Sequence, residues 1–516
     1  MSRQHIPDKT NLNNEHDSRC SEAHKPTTLT PPTCRPSLDP QDWNQFRFLV
    51  HSMVDRSIEF LQNIRETPVY NIVPIPSHVS DSLDEPVPLT AQGLEKVCED
   101  FLTLVLPYPT GNIHPRCWGW AAGNGNAGTI ISHLMVATMN SNAVGGAQSS
   151  TLVERQVLEW CRKILNFPDT SGSTITNGTS MATIIALTIA RNHALGTNHT
   201  VRLEGIVGGP RLVGYASVET HFCVSKAFEL LGLGRNALRL IPVNAQYCID
   251  INELETAISQ DLKAGNVPFC IIGNVGSVNT GSIDDLLALK HLAQTYKLWF
   301  HVDGAFGALA IIDQEFKSCL QGIEQADSLA FDFHKWLHVP FDAACLLTRD
   351  KKVQLATFSS NASYLNKKEN VEDYEVYFQS GLELSRGFRA LNIWFTIKEH
   401  GIRRLGEKIN ENRKQCQYLV SLLEKYSWIR VHLPVMLNVV CFRIEPKDYA
   451  DEEKINALNG QVVSDIQKSG LAIPSTALLK GLLHIRCCII NHRATYHDCN
   501  VFVDELVKRT ELYLSE

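Results

Sequence analysis

The sequence predicts an α/β protein: a mainly parallel sheet in a large domain, a smaller C-terminal α+β domain, and a helical segment ahead of both. Three observations carry this expectation. Through the middle of the chain, short apolar runs alternate with helical stretches, the pattern of a parallel sheet covered on both faces. After Arg404 the pattern changes to one long helix, two strands and a closing helix. The length of 516 residues exceeds one compact core, and 44% apolar against 20% charged residues suits a chain that buries a large interior.

Residues 1–41 are polar and interrupted by Pro7, Pro26, Pro31, Pro32, Pro36 and Pro40, too poor in apolar groups to offset the entropy of ordering. They read as a disordered tail. In 42–110, Asp42 can cap a helix in which Phe46, Leu49, Met53, Ile58, Leu61 and Ile64 recur at roughly helical spacing. The Pro-rich stretch 68–88 then runs extended, and 89–106 forms a second helix. The one-sided apolar faces of this segment call for a partner subunit to cover them. The large domain, 111–400, has predicted strands at 212–217, 238–243, 269–275, 299–303, 328–331 and 344–348, with helices such as 286–296 between them. In the small domain, 401–516, a helix over 404–426 precedes strands at 439–444 and 484–490 and a last helix over 498–512.

Several function classes are excluded at this level. Lys and Arg number 48 against 55 Asp and Glu, a net charge of -7 with no basic stripe, which argues against a nucleic acid partner. The longest helical apolar run, 181–190, is well short of the ~20 residues that cross a bilayer. No apolar leader opens the chain, so the expected location is the cytoplasm. The 15 cysteines are scattered without a Cys-x-x-Cys pair and read as reduced, mostly buried thiols. With no His-Glu-x-x-His either, no metal is expected.

Three segments carry chemistry. His301-Val302-Asp303-Gly304-Ala305-Phe306-Gly307 closes a central strand, where open α/β sheets bind their ligands. A carboxylate there is costly to bury unless it meets a cation, and a protonated pyridine ring would supply one; capping of the next helix is the competing account. In Asp332-Phe333-His334-Lys335-Trp336, Lys335 sits between aromatic neighbours that would disfavour its ammonium form and make the amine nucleophilic toward an aldehyde. A snorkelling surface lysine is the plainer alternative. Thr176-Asn177-Gly178-Thr179-Ser180 opens an apolar helix whose first N–H groups and hydroxyls suit a phosphate, or form an ordinary cap. Gly123-Asn124-Gly125-Asn126-Ala127-Gly128 matches G-x-G-x-x-G but follows no convincing strand and has no acidic residue ~20 positions on. It therefore marks flexibility or close approach of a ligand rather than a dinucleotide site.

Taken together, these segments resemble the group II pyridoxal phosphate dependent amino acid decarboxylases, the aromatic amino acid, glutamate and cysteine sulfinate decarboxylases among them. The resemblance runs from about Asp42 to Leu506. Its lysine signature is met by Ser328, Leu329, Lys335, Trp336, Leu337, Phe341, Ala343, Leu346 and Arg349. It implies the fold-type I transferase architecture, with a sheet of the seven-stranded type, and pyridoxal 5'-phosphate as cofactor. By resemblance, Lys335 is the lysine that bonds to the cofactor, Asp303 the partner of its ring nitrogen, and His221 the histidine stacked on the ring. Gly178, Thr179, Ser180 and Ser328 resemble the phosphate cradle, Ala305 lies against the ring, and Ser277 is near the 3-oxygen. His334 matches the residue that touches phosphate and substrate, and Tyr364 the loop tyrosine that, with a histidine as the other candidate, delivers a proton.

The family builds its site at a homodimer interface, which implies a homodimer here. The expected reaction is decarboxylation of an L-amino acid to its amine and carbon dioxide. Aldehyde-forming relatives typically carry phenylalanine at the Tyr364 position, which favours the amine. The stretch 113–120 aligns with the substrate pocket, and Trp118 and Trp120 could flank an aromatic side chain, whereas His114-Pro115-Arg116 resembles the acidic amino acid branch. Ala121, Ala122, Gly123, Asp332 and Phe333 depart from the aromatic branch. An aromatic or hydrophobic substrate is expected. The alternatives are an acidic amino acid, a transaminase or carbon-carbon lyase, and a non-catalytic protein of the same fold.

Overall fold

The computed structural model describes residues 37–69, 75–196, 201–359, 376–449 and 451–515. By its internal contacts the chain separates into two units, Met1–Val54 and Asp55–Glu516. Helix α1, Trp43–Gln62, begins in the first and continues into the second, with no buried residue along it. Asp42 caps it as expected: its Oδ1 accepts from the N–H groups of Asn44 at 2.8 Å and Gln45 at 3.1 Å.

In the second unit, α2 (Ser77–Leu83) and α3 (Leu94–Asp100) precede a π-helical turn over Phe101–Val105. Helices α4 (Gly128–Met139) and α5 (Ser149–Ile164) lead into β1 (Gly172–Thr176), and α6 (Thr179–Leu195) starts three residues beyond that strand. There follow α7 (Val201–Glu204), β2 (Leu212–Ser217), α8 (Phe222–Leu230), β3 (Leu238–Ile241), α9 (Ile251–Lys263), β4 (Val267–Asn274), α10 (Leu286–Tyr296), β5 (Trp299–Asp303), β6 (Ser328–Asp332) and β7 (Ala344–Thr348).

These strands form one seven-stranded sheet in the order β1-β7-β6-β5-β4-β2-β3. Only β7 runs antiparallel to its neighbours. Both faces are buried, as alternation along the strands requires. Tyr215, Ile271, Phe300, Val302 and Leu329 pack into the core on one side. Ala216, Cys270, Ile272, Trp299 and Ala330 pack into the core on the other. Strand β1 escaped the sequence reading because Gly-Ser-Thr-Ile-Thr is short and polar; it is held at the sheet edge by β7.

After α11 (Lys351–Phe358), the 35-residue α12 (Arg389–Leu423) bends at Gly401, whose φ of 70° lies in the left-handed region that glycine adopts freely. A second, antiparallel sheet follows in the order β10-β11-β9-β8, from β8 (Ile429–Val431), β9 (Val439–Ile444), β10 (Ser475–Leu479) and β11 (Leu482–Cys488). Helices α13 (Glu452–Lys468) and α14 (Tyr496–Ser515) complete this part. β8, β10 and α13 were not among the predicted elements. Among the described residues, no helix is long and apolar enough to cross a membrane.

Candidate active site

Six of the seven strands point their carboxyl ends to one edge of the sheet, and the reactive side chains collect there. Strand β5 is the middle strand and is buried along its whole length, so Asp303 at its end is carried into the interior. Its Oδ1 accepts from the Ala305 N–H at 3.1 Å. Burial pushes the Asp303 carboxyl above its usual range, with Lys335 and His221 pulling the other way. A carboxylate so placed is matched to a further cationic partner.

The next strand brings in the lysine. Asp332 N–H donates to Ala305 O at 2.9 Å, tying the end of β6 to the turn after β5. From there the chain turns through His334 and Lys335. Lys335 Nζ lies 3.1 Å from Asp332 Oδ2, and His334 Nε2 lies 3.6 Å from the same oxygen. Burial holds the His334 imidazole below its usual value, with Asp332 opposing. The other ring nitrogen, Nδ1, accepts from Ala343 N–H at 3.1 Å, which fixes the ring.

The start of α6 meets the same point. Thr179 N–H donates to Asp332 Oδ1 at 2.8 Å across 153 positions of sequence. The Thr179 hydroxyl is buried without a hydrogen-bond partner, and Gly178 leaves room beside His334: an added Cβ would come no nearer than 3.9 Å, to His334 Cε1. An orphaned hydroxyl at the positive end of a 17-residue helix, next to an open glycine, fits a phosphate group. Ser180 is exposed one position further on.

Two further groups close in. His221 is the N-cap of α8; its Nδ1 accepts from Cys223 N–H at 3.2 Å, and burial lowers its imidazole while Asp303 opposes. Val275 N–H donates to Asp303 O at 2.8 Å, placing the 276–282 turn beside Asp303. In that turn the Ser277 hydroxyl lies 2.9 Å from Thr280 Oγ1 and accepts from Ser282 Oγ at 2.8 Å. Thr280 and Ser282 were missed from sequence, although small hydroxyl residues flanking Gly281 were the available signal.

Three expectations are corrected. Ser328 stands at the opposite end of β6 from Asp332, fully buried, its Oγ 2.8 Å from both Trp299 Nε1 and His301 Nδ1. It braces the sheet and takes no part in the phosphate cradle; its register opposite His301 puts it out of reach. Trp118 does not flank a substrate: it is fully buried against Phe502, with Nε1 donating to Pro115 O at 2.8 Å, whereas Trp120 is exposed. Nor do aromatic neighbours enclose the lysine amine, because Phe333 packs on Phe331 and Trp336 donates to Asn412 Oδ1. Its nearest polar partner is Asp332.

The glycine-rich run also has its explanation. A Cβ on Gly123 would fall 1.7 Å from His334 O, so the close approach is by the protein's own lysine-bearing turn. Tyr364 lies outside the described residues. Among those described, no group of three or more His, Cys, Asp or Glu is placed to hold a metal ion.

Sheet, helix terminus, buried carboxylate and lysine together define a pyridoxal phosphate enzyme of the fold-type I class. The pyridoxal-dependent decarboxylase conserved domain matches residues 76–445, and the chain belongs to that family. It is a pyridoxal phosphate dependent amino acid decarboxylase. It is 30% identical over 455 residues to the aromatic-L-amino-acid decarboxylase of Bacillus atrophaeus, covering 87% of this chain and 92% of that one. It is 28% identical to a phenylacetaldehyde synthase of Arabidopsis thaliana, covering 88% and 93% respectively. The crystal structure of Oryza sativa TDC with PLP and tryptamine superposes with a TM-score of 0.86 at 25% identity, covering 92% of this chain and all of that one.

Proposed function

We propose that the protein converts an aromatic L-amino acid to its amine and carbon dioxide. The observation that supports this most is Lys335, Asp303 and His221 converging at the strand ends of a chain related along most of its length to an aromatic amino acid decarboxylase.

In this reading Lys335 would hold the cofactor covalently, Asp303 would pair with its ring nitrogen, His221 and Ala305 would contact the ring and Ser277 the 3-oxygen, and Gly178, Thr179, Ser180 and His334 would receive the phosphate. When bound, pyridoxal phosphate supplies the electron sink for the pair released when the Cα–carboxylate bond breaks. The protein's share is to hold that bond perpendicular to the ring, keep water out and return one proton to Cα. Asp303 can keep the ring nitrogen protonated because burial leaves its carboxylate in need of a positive partner. Tyr364 is the proton donor, and its hydroxyl favours the amine over the aldehyde.

The protein works as a homodimer in a reducing cytoplasm. Support for the first comes from apolar side chains left exposed on α3 and α4. For the second it comes from the 13 described cysteines, all of them free.

The test is carbon dioxide release, with the amine identified by mass spectrometry, from a pool of L-amino acids plus cysteine sulfinate. An aromatic amine is the expected product. Release from glutamate, aspartate or cysteine sulfinate alone would replace the aromatic reading with the acidic one. Tyr364→Phe is expected to move product from amine toward aldehyde and hydrogen peroxide in the presence of oxygen; an unchanged product ratio removes Tyr364 from proton delivery.

A further inference from the structure

Asp332 stands where the cofactor's phosphate is expected to find its donors. One carboxylate oxygen takes the Thr179 N–H at the start of α6, 2.8 Å away, and the other lies 3.1 Å from Lys335 Nζ. The group is nearly fully buried. Facing it are Lys335 and His334 from the turn that follows β6, Asp303 from β5, His221 from the start of α8, and the N-terminal N–H groups of α6. Asp303 is a second carboxylate close enough to repel it.

A phosphate monoester carries about -1.5 to -2 charges at pH 7, with its second ionisation near pH 6. Placed at the α6 terminus, that charge meets a buried carboxylate already using the same N–H group. The two anions compete for one donor and repel each other. A proton taken up together with the phosphate relieves both, because a protonated oxygen can donate to its former rival.

We propose that Asp332 makes cofactor binding proton-coupled: the phosphate enters its cradle together with about one proton, and affinity falls as pH rises. This rests on the reading that the α6 cradle takes the cofactor phosphate. Asparagine in place of Asp332 keeps an oxygen for Thr179 N–H and offers an amide N–H to the phosphate, so it removes the competition without emptying the site.

The sign follows from linkage. A complex that binds more protons than its separate partners strengthens as pH falls, by up to about tenfold per pH unit over roughly pH 6–8. In Asp332→Asn the slope should flatten, and binding at pH 8 should be about tenfold tighter or more.

The probe is pyridoxine 5'-phosphate, which has the phosphate and ring but no aldehyde, so condensation with Lys335 does not enter. Its dissociation constant is measured by titration against the full chain freed of cofactor, wild type and Asp332→Asn, from pH 6 to pH 8. Calorimetry on the wild type in two buffers of different ionisation enthalpy counts the protons directly and does not depend on the variant folding. A steeper wild-type slope with net proton uptake bears the inference out. Equal slopes in the two proteins, weaker binding by Asp332→Asn, or no proton uptake by the wild type overturns it while leaving the cofactor site intact. No binding by either protein overturns the cradle reading as well.

Discussion

Trp118 illustrates how far a residue's role depends on what it touches. In sequence it stands beside residues that align with a substrate pocket; in the fold it is enclosed by Phe502 and the core of the small sheet, its indole N–H satisfied by Pro115 O. A side chain of that size with no exposure contributes mainly to packing. Trp118→Ala is therefore expected to lower stability by about 3–5 kcal/mol, read by denaturant titration, and to leave KM for the substrate within about twofold in the fraction that remains folded. A large rise in KM without loss of stability would return it to the pocket. Asp303 behaves differently: it was legible because a carboxylate at the end of a buried strand is costly unless chemistry compensates. The sequence did not show that Lys335 has an anion, Asp332, within 3.1 Å, since that pairing depends on the turn after β6.

At the scale of elements, strands β5 and β7 match their predicted bounds residue for residue, because short, mostly apolar runs of this length between polar breaks suit buried strands. Strand β1 was not legible: it is polar in sequence, and Thr174 and Thr176 are buried in a sheet that pairs β1 with β7, a contact from far along the chain. Ser328 was misplaced for a related reason, since only the register of β6 against β5 shows which end of the strand it occupies. What anchors β1 is a buried ion pair. Arg386 Nη2 lies 2.6 Å from Glu154 Oε1 on α5 and also donates to Ile175 O in β1 at 2.9 Å. Burial pushes the Glu154 carboxyl up and Arg386 opposes it. Arg386→Met would strand that carboxyl, at a cost of about 3–5 kcal/mol. Because β1 leads directly into Gly178 and Thr179, cofactor affinity should weaken along with the melting temperature. Loss of stability with unchanged affinity would show that the cradle is held from the α6 side instead.

For the whole molecule, the exposed apolar residues decide what the single chain leaves unfinished. On α4, Ile131, Leu134, Met135 and Met139 are exposed, while the residues this helix buries are Thr129 and Ser132, an inversion of the usual amphipathic pattern. Leu94, Val97, Phe101 and Val105 extend the same character onto α3 and the π-helical turn after it. Exposed apolar residues on successive helices fit the proposed interface between two copies, and in a self-associating chain the two-fold dimer is the commonest closed arrangement. The expected outcome is a solution mass near twice 57.7 kDa by light scattering. Leu134→Asp places a carboxylate where the partner's apolar surface would strip its water, so it should shift the protein toward monomer. If the active site is completed across the interface, as the family resemblance implies, activity should fall with the dimer fraction and recover as protein concentration rises. A wild type that runs as a monomer would remove the homodimer. A monomeric Leu134→Asp protein with full activity would show that each chain carries a complete site of its own.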